Sequence, residues 1–151
     1  NNVLDTNLKG VFWGCKSALA VMQAGANIVN VSSIAGKRGS SNNSAYCSSK
    51  FAVNAVTQSL AKEVGKQNIR VNAVCPVIVP TEGLIEALDE PESPAYGNID
   101  GFIDNFRKTQ AALPELPTGE EIGKACLFLA SDDASAVTGQ CINVDCGVFP
   151  Q

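Results

Sequence analysis

Histidine is absent from all 151 residues. That absence removes Ser-His-Asp and Cys-His catalysis and the commonest metal ligand, so proton transfer falls to tyrosine, lysine, cysteine or a carboxylate. The six cysteines, at positions 15, 47, 75, 126, 141 and 146, contain no C-x-x-C pair. So spaced, they read as small buried fillers in a reducing compartment rather than a disulfide frame or zinc site, and no metal is expected. Aromatic residues make up only 6%, and no basic cluster interrupts a mildly acidic chain with 11 Lys and Arg against 15 Asp and Glu. Nucleic acid and anionic membrane surfaces are therefore not expected partners. Apolar stretches reach six or seven residues at most, several broken by proline or glycine, so no segment is expected to span a bilayer. Nothing at the start reads as a signal peptide, and the expected location is cytoplasmic. Internal repeats and low-complexity tracts are also lacking.

What is there suits one domain with a real core: 45% hydrophobic and 17% charged residues. From Val3 to Met22, apolar residues at 4, 8, 11, 12, 15, 19 and 22 form a helical stripe that Gly25 ends. "ANIVNVSS" (26–33) is a β-branched run of the kind that makes a buried strand. Gly36, Gly39 and "SSNNS" then make a loop, and Ser44 is placed to cap a helix from Ala45 to about Val64, stopped by Gly65. "IRVNAVCP" (69–76) is a second strand, and "GQCINVD" (139–145) a third. Before that last strand, Thr118-Gly-Glu-Glu121 is a capping box opening a helix with Ile122, Ala125, Cys126 and Leu129 on one face. Strands that alternate with helices and are apolar on both faces imply a parallel sheet covered on both sides, an α/β fold.

Three such strands alone leave a long bare edge, which parallel sheets rarely tolerate, and no G-x-G-x-x-G follows a strand. A segment of about a hundred residues carrying the first strands is expected upstream. In the helix 45–64, one stripe (Val53, Val56, Leu60, Val64) is bulky and another (Ser48, Ala52, Ala55, Ser59) is uniformly small. The bulky stripe suits the sheet. The small one admits a second helix at close range, either a two-fold related subunit or a neighbour in the same chain.

The chemistry concentrates in "NVSSIAGKRGSSNNSAYCSSKFAV" (30–53). Tyr46 and Lys50 lie four apart, one turn on the same helix face. An isolated tyrosine titrates near pH 10, whereas an ammonium held close favours the phenolate, and a tyrosine so tuned is a usable general acid or base. In many helices such a pair is only a packed ring and a solvated amine; the neighbourhood gives this pair its meaning. Ser33, at a strand end thirteen residues before Tyr46, is placed to donate to a substrate oxygen. Asn7, in "DTNLKG", is a poor mid-helix residue of the kind that bonds back to the backbone or holds a water. Reversible protonation of a carbonyl or alcohol oxygen fits this set, and such chemistry needs a hydride carrier because no side chain moves a hydride. A Ser-x-x-Lys hydrolase fails on Cys47, which stands three before Lys50.

In this order, the motifs resemble those of the C-terminal part of the classical short-chain dehydrogenase/reductase family. "NLKGVF" (7–12) is similar to its N-x-x-G-x-F segment, and "IVNVSSIAG" (28–36) to its serine strand. "YCSSK" (46–50) resembles its active-site motif, "IRVNAVCP" its following strand and "TGQCINVDCG" its closing strand. The resemblance covers residues 1 to 147. It implies a Rossmann-type, doubly wound parallel sheet, the cofactor NAD or NADP, and a catalytic tetrad of Asn7, Ser33, Tyr46 and Lys50. In that family the tyrosine is the acid/base, the lysine also binds the nicotinamide ribose, the serine holds the substrate oxygen, and the asparagine supports a water relay. The nicotinamide carboxamide would meet "PVIVPT", with Pro76, Val79 and Thr81 as contacts beside Tyr46 and Lys50.

Two residues depart from the family pattern. Val77 stands where the family has glycine after the proline, so the turn must stay out of the left-handed region or be strained. Cys146 replaces a common glycine near the end. In that family the residues that separate NAD from NADP belong to the segment expected upstream. Residues 82–112 occupy the substrate-loop position, within a stretch (81–117) carrying four prolines and eight acidic residues against two basic. They are expected to be a lid, closed by Leu84, Ile85, Phe102 and Phe106, or else a mobile acidic insert. Ile99, Phe102, Ile103 and Phe106 mark a short amphipathic helix inside it. The expectation is an NAD(P)-dependent oxidoreductase interconverting a secondary alcohol and a ketone, assembled as a homodimer or homotetramer. The alternative is a silent dinucleotide-binding scaffold of the same fold.

Overall fold

The computed structural model describes residues 2–151. Helical turns run without a break from α1 (Asn2–Leu4) through a π-helical stretch (Asp5–Lys9) into α2 (Gly10–Leu19). The helical stripe is thus borne out, with a widened turn at Asn7 and an end before Met22. The chain reverses at Gly25, whose φ of 91° is left-handed, and enters β1 (Asn27–Val31). The long helix α3 (Ser44–Val64) follows, then β2 (Arg70–Pro76), α4 (Glu82–Leu88), α5 (Ile99–Gln110), α6 (Gly119–Ala130) and β3 (Cys141–Val144).

The three strands form one parallel sheet in the order β1-β2-β3. Asn27 to Val31 pair with Arg70 to Val74, and Ala73 to Pro76 with Cys141 to Val144. β2 is therefore the central strand, and Val71 to Cys75 are wholly buried, as a strand covered on both faces requires. Val64 and Leu60 of the bulky stripe of α3 meet the sheet: with neighbouring Ala61 they pack against Ile69, Val71 and Ile28, joined by Leu19 and Met22. Helix α6 lies against all three strands with Leu129 buried.

Several boundaries differ from the sequence expectation for local reasons. Asn43, not Ser44, is the cap residue of α3, and its side chain donates to Ser40 instead of capping. Gly65 does not reverse the chain; it continues into a 3-10 turn, and Asn68 takes the left-handed position at φ 58°. Asparagine tolerates that region better than other side chains. The capping box is formed in full, with Thr118 Oγ1 accepting from Glu121 N and the Glu121 carboxylate accepting from Thr118 N. No helix among the described residues is long and apolar enough to cross a membrane.

Candidate active site

The site lies where the carboxyl ends of β1 and β2 meet the first turns of α3, the place where open α/β sheets hold ligands. Parallel strands all end on the same side, so their following loops converge there. Lys50 stands one helical turn after Tyr46, with its Nζ 5.7 Å from the centre of the Tyr46 ring. The same ammonium donates to the Val31 carbonyl at 3.0 Å, at the last residue of β1. The two side chains therefore face each other, and the lysine ties the helix to the end of the strand. Burial pushes the Lys50 ammonium below the usual lysine range, and the neighbouring Cys75 sulfur partly offsets this.

Ser33 follows β1 by two residues. Its Oγ accepts from Ala35 N at 3.1 Å, capping a 3-10 turn over Ile34–Gly36, and reaches the Pro76 carbonyl at 3.5 Å. The turn brings the loop so close to α3 that a Cβ on Gly36 would stand 2.6 Å from the Lys50 carbonyl oxygen. Asn54 holds the approach by donating to the Gly36 carbonyl at 2.9 Å, and Ser32 Oγ donates to the Lys50 carbonyl at 3.2 Å. Asn7 sits in the π-helical stretch, a feature common at functional sites. Its Nδ2 donates to Ser49 Oγ at 3.3 Å, and Ser49 Oγ donates to the Tyr46 carbonyl at 2.6 Å. Three of the four expected catalytic residues are thus joined through α3, and Ser33 is joined to Pro76.

Val79 and Thr81 sit further along the turn after β2. They line one side of a cleft of about 500 Å³ whose other walls include Ile85, Ile103 and Arg107. Thr81 Oγ1 accepts from Leu84 N and caps α4. Among the described residues no side-chain hydrogen bond joins Val79 or Thr81 to the tetrad. Val77 keeps its φ out of the left-handed region, where Asn42, Asn68 and Cys146 are the non-glycine residues, and it packs against Ile34, Cys75 and Val148. The turn is therefore unstrained at Val77. Cys146, at φ 54°, does occupy the backbone conformation that glycine would take without cost.

Residues 82–112 are more ordered than a loop: α4 and α5 fill most of the span. Phe106 packs on the cluster of Ile34, Cys75 and Val148, while Ile85 faces the cleft. The end of the segment is gripped from the C-terminal side, where the Cys146 carbonyl accepts from Ala112 N and Leu113 N at 2.9 and 3.1 Å.

Two features went unnoticed in the sequence. Ser49 differs from exposed Ser48 only by being wholly buried. The β2–β3 register pairs Cys141 with Ala73 and so sets it diagonally beside Cys75 on the same face of the sheet, where it packs on the Cys75 cluster. Cys75 Sγ donates to Asn54 Oδ1 at 3.8 Å, while the neighbouring Cys141 thiol, with the Lys37 ammonium, pulls the Cys75 thiol below its ordinary range against the opposing effect of burial, and Cys141 is pushed up. Only knowledge of the strand pairing would have exposed that contact.

The nicotinamide ribose that the family resemblance implies would ask these residues for hydrogen-bond donors. A lysine ammonium has three donors, and Lys50 spends one on Val31, so the rest suit ribose hydroxyls at the open end of the sheet. The residues present fit the group.

Known proteins share this sequence pattern and fold. A family model described as enoyl-(acyl carrier protein) reductase matches residues 1–149. The 3-oxoacyl-(acyl-carrier-protein) reductase FabG of Chlamydia muridarum is 35% identical over 154 residues, covering 98% of this chain and 56% of the relative. The 3alpha-hydroxysteroid dehydrogenase of Mediterraneibacter gnavus is 40% identical over 145 residues, covering 95% and 53%. Among solved structures, a short-chain dehydrogenase/reductase from Brucella melitensis, titled glucose/ribitol dehydrogenase, superposes with a TM-score of 0.82 at 34% identity, over 96% of this chain and 54% of that one. The chain spans a little over half the length of the curated relatives it matches. With the parallel sheet and the ordered motifs, these matches show that the chain belongs to the short-chain dehydrogenase/reductase family.

Proposed function

We propose that this chain forms the catalytic part of an NAD(P)-dependent oxidoreductase that interconverts a secondary alcohol and a ketone, with Tyr46 as the general acid/base. The observation that carries the reading is the placement of Lys50, which faces the Tyr46 ring while anchored to the end of β1. An ammonium so held stabilises negative charge on the phenol oxygen as the proton leaves. The Ser33 hydroxyl, whose 3.5 Å contact with Pro76 is at the loose limit of a hydrogen bond, turns to donate to the substrate oxygen. It steadies the charge that develops there. Tyr46 gives its proton to that oxygen in reduction and takes it back in oxidation. Asn7 braces the first turn of α3 through Ser49. Lys50, with Tyr46, would hold the nicotinamide ribose, and the turn Pro76–Val79–Thr81 would face the carboxamide. A bound nicotinamide supplies or accepts the hydride.

The relatives' names support this class, since 3-oxoacyl, hydroxysteroid and glucose/ribitol each denote a hydroxyl or oxo carbon. The α4–α5 segment serves as the lid. Its wall of Asp100, Asp104 and Glu115 against Arg107 disfavours strongly anionic substrates, weakly because exposed charge is screened. For assembly, we propose a homodimer or homotetramer built on α2 and α3. Ser48, Ala55 and Ser59 of the small stripe are exposed beside Phe51, and Phe12 and Trp13 are about half exposed on α2.

The test follows nicotinamide absorbance with the full-length protein across neutral secondary alcohols, ketones and a 2-enoyl thioester. Turnover of an alcohol or ketone is expected. Reduction of the thioester alone would move the activity to the carbon–carbon double bond that the family model's description names. Cofactor binding without turnover of any substrate would mark a scaffold.

A further inference from the structure

Helix α3 carries a buried hydroxyl that neither gives nor takes the proton in the proposed reaction. Ser49 has no solvent exposure, and a buried hydroxyl must be hydrogen-bonded to avoid a cost. Its single O–H goes to the Tyr46 carbonyl at 2.6 Å, and its oxygen accepts from Asn7 Nδ2 at 3.3 Å. The Tyr46 carbonyl is also the acceptor that closes the helical turn to Lys50, because an α-helix bonds each carbonyl to the N–H four residues on. One hydroxyl thus joins the helix bearing Asn7 to the peptide group between the acid/base residue and its cation.

The partner side is unusual as well. Asn7 lies in the π-helical stretch between α1 and α2, and π-turns persist where a side chain is held out of regular register. Helices packed by apolar contact alone slide and rotate by fractions of an ångström at little cost. A polar tie that is directional at both ends does not.

We propose that Ser49 is a positioning residue for the reaction: through its bonds to Asn7 and the Tyr46 carbonyl it sets the orientation of the Tyr46–Lys50 turn relative to the Asn7 helix. This rests on the oxidoreductase reading above. Ser49 touches neither substrate nor cofactor. It acts on how the Tyr46 hydroxyl and the Lys50 ammonium present themselves, so its loss falls on the proton-transfer step and spares substrate binding.

The experiment compares Ser49→Ala, Asn7→Ala, the double variant and Tyr46→Phe in the full-length protein. Ser49→Ala is expected to lower kcat by about tenfold to a hundredfold, the scale of an ångström of misplacement, with KM for substrate and cofactor near wild type and the pH–rate profile displaced. The double variant is expected to be no slower than Asn7→Ala alone, because both changes cut one connection. Ser49→Thr, which keeps the hydroxyl, is expected to recover part of the loss. A drop in Tm with an unmoved pH profile, or losses that simply multiply in the double variant, would overturn the positioning role. If Tyr46→Phe turns over like wild type, the oxidoreductase reading falls first and this inference with it. If Tyr46→Phe is inactive and Ser49→Ala is not impaired, only this inference fails.

Discussion

The corner around Tyr46 and the proposed lid, residues 82–112, hold their polar groups in opposite ways. In the corner, Ser32, Ser33, Ser49 and Asn54 are all buried, and each is hydrogen-bonded to the backbone. In the lid, charges pair at the surface: Asp104 with Arg107 at 2.7 Å and with Lys108 at 2.6 Å, all on partly exposed side chains. Buried, directional bonds fix one geometry because breaking them leaves unsatisfied groups. Exposed ion pairs contribute little and exchange freely with water and salt. Under the proposed function, rigidity lies where the proton would be transferred and tolerance where substrates of different shape would be admitted.

That contrast can be broken by single substitutions, the largest effect coming first. Gly36→Ala forces a Cβ to 2.6 Å from the Lys50 carbonyl oxygen and 2.9 Å from Asn54 Nδ2. It should cost about 2 kcal/mol, the range for overpacking, read as a lower urea midpoint, and should impair kcat as the loop is pushed off α3. At the junction of the two regions, Cys146→Gly relieves a left-handed residue and should add about 1 kcal/mol to stability, seen as a raised Tm. Gly83, in the lid helix α4, has no atom within 4 Å of an added Cβ. Gly83→Ala should therefore gain about 0.5 kcal/mol at most from helix propensity, a change of sign from Gly36→Ala. A destabilised Gly83→Ala would show that the lid is packed as tightly as the corner.

The smallest effect is electrostatic. Lys108, then Arg107, holds the Asp104 carboxyl below its ordinary range. A group depressed on folding stabilises the fold above its unfolded pKa, and the contribution is lost as pH falls through the lower folded value. Acid should therefore loosen the end of α5 while the buried corner persists, which amide hydrogen exchange would resolve. High salt should weaken the same contribution at neutral pH.

The parts of this architecture legible in the sequence are those set by local pattern. β-branched runs marked β1 and β2, a 3.6-residue stripe marked the first helix, and Thr118 with Glu121 marked the start of α6 to the residue. Boundaries slipped where two neighbours offer the same chemistry, as with Asn43 and Ser44, or Gly65 and Asn68. The π-turn at Asn7 left only the weak hint of a poor helix former. Ser48 and Ser49 are the same letter side by side, and only packing against the Asn7 helix decides which one is buried. Cys75 and Cys141 meet through strand register, a property of the folded sheet that no spacing along the chain records. The Tyr46–Lys50 pairing was legible because four residues make one helical turn. The anchoring of Lys50 to Val31 was not, because it depends on where α3 crosses the sheet.

The central claim is that the phenol of Tyr46, faced by the Lys50 ammonium, performs the proton transfer of a hydride-transfer reaction. Its most direct test is Tyr46→Phe in the full-length protein, with nicotinamide turnover and cofactor affinity measured separately. Removing one oxygen atom should lower kcat by about a thousandfold or more, the contribution of a general acid/base, while cofactor Kd stays within about threefold because Lys50 remains in place. Turnover close to wild type in Tyr46→Phe, with the same substrate and cofactor, would contradict the account.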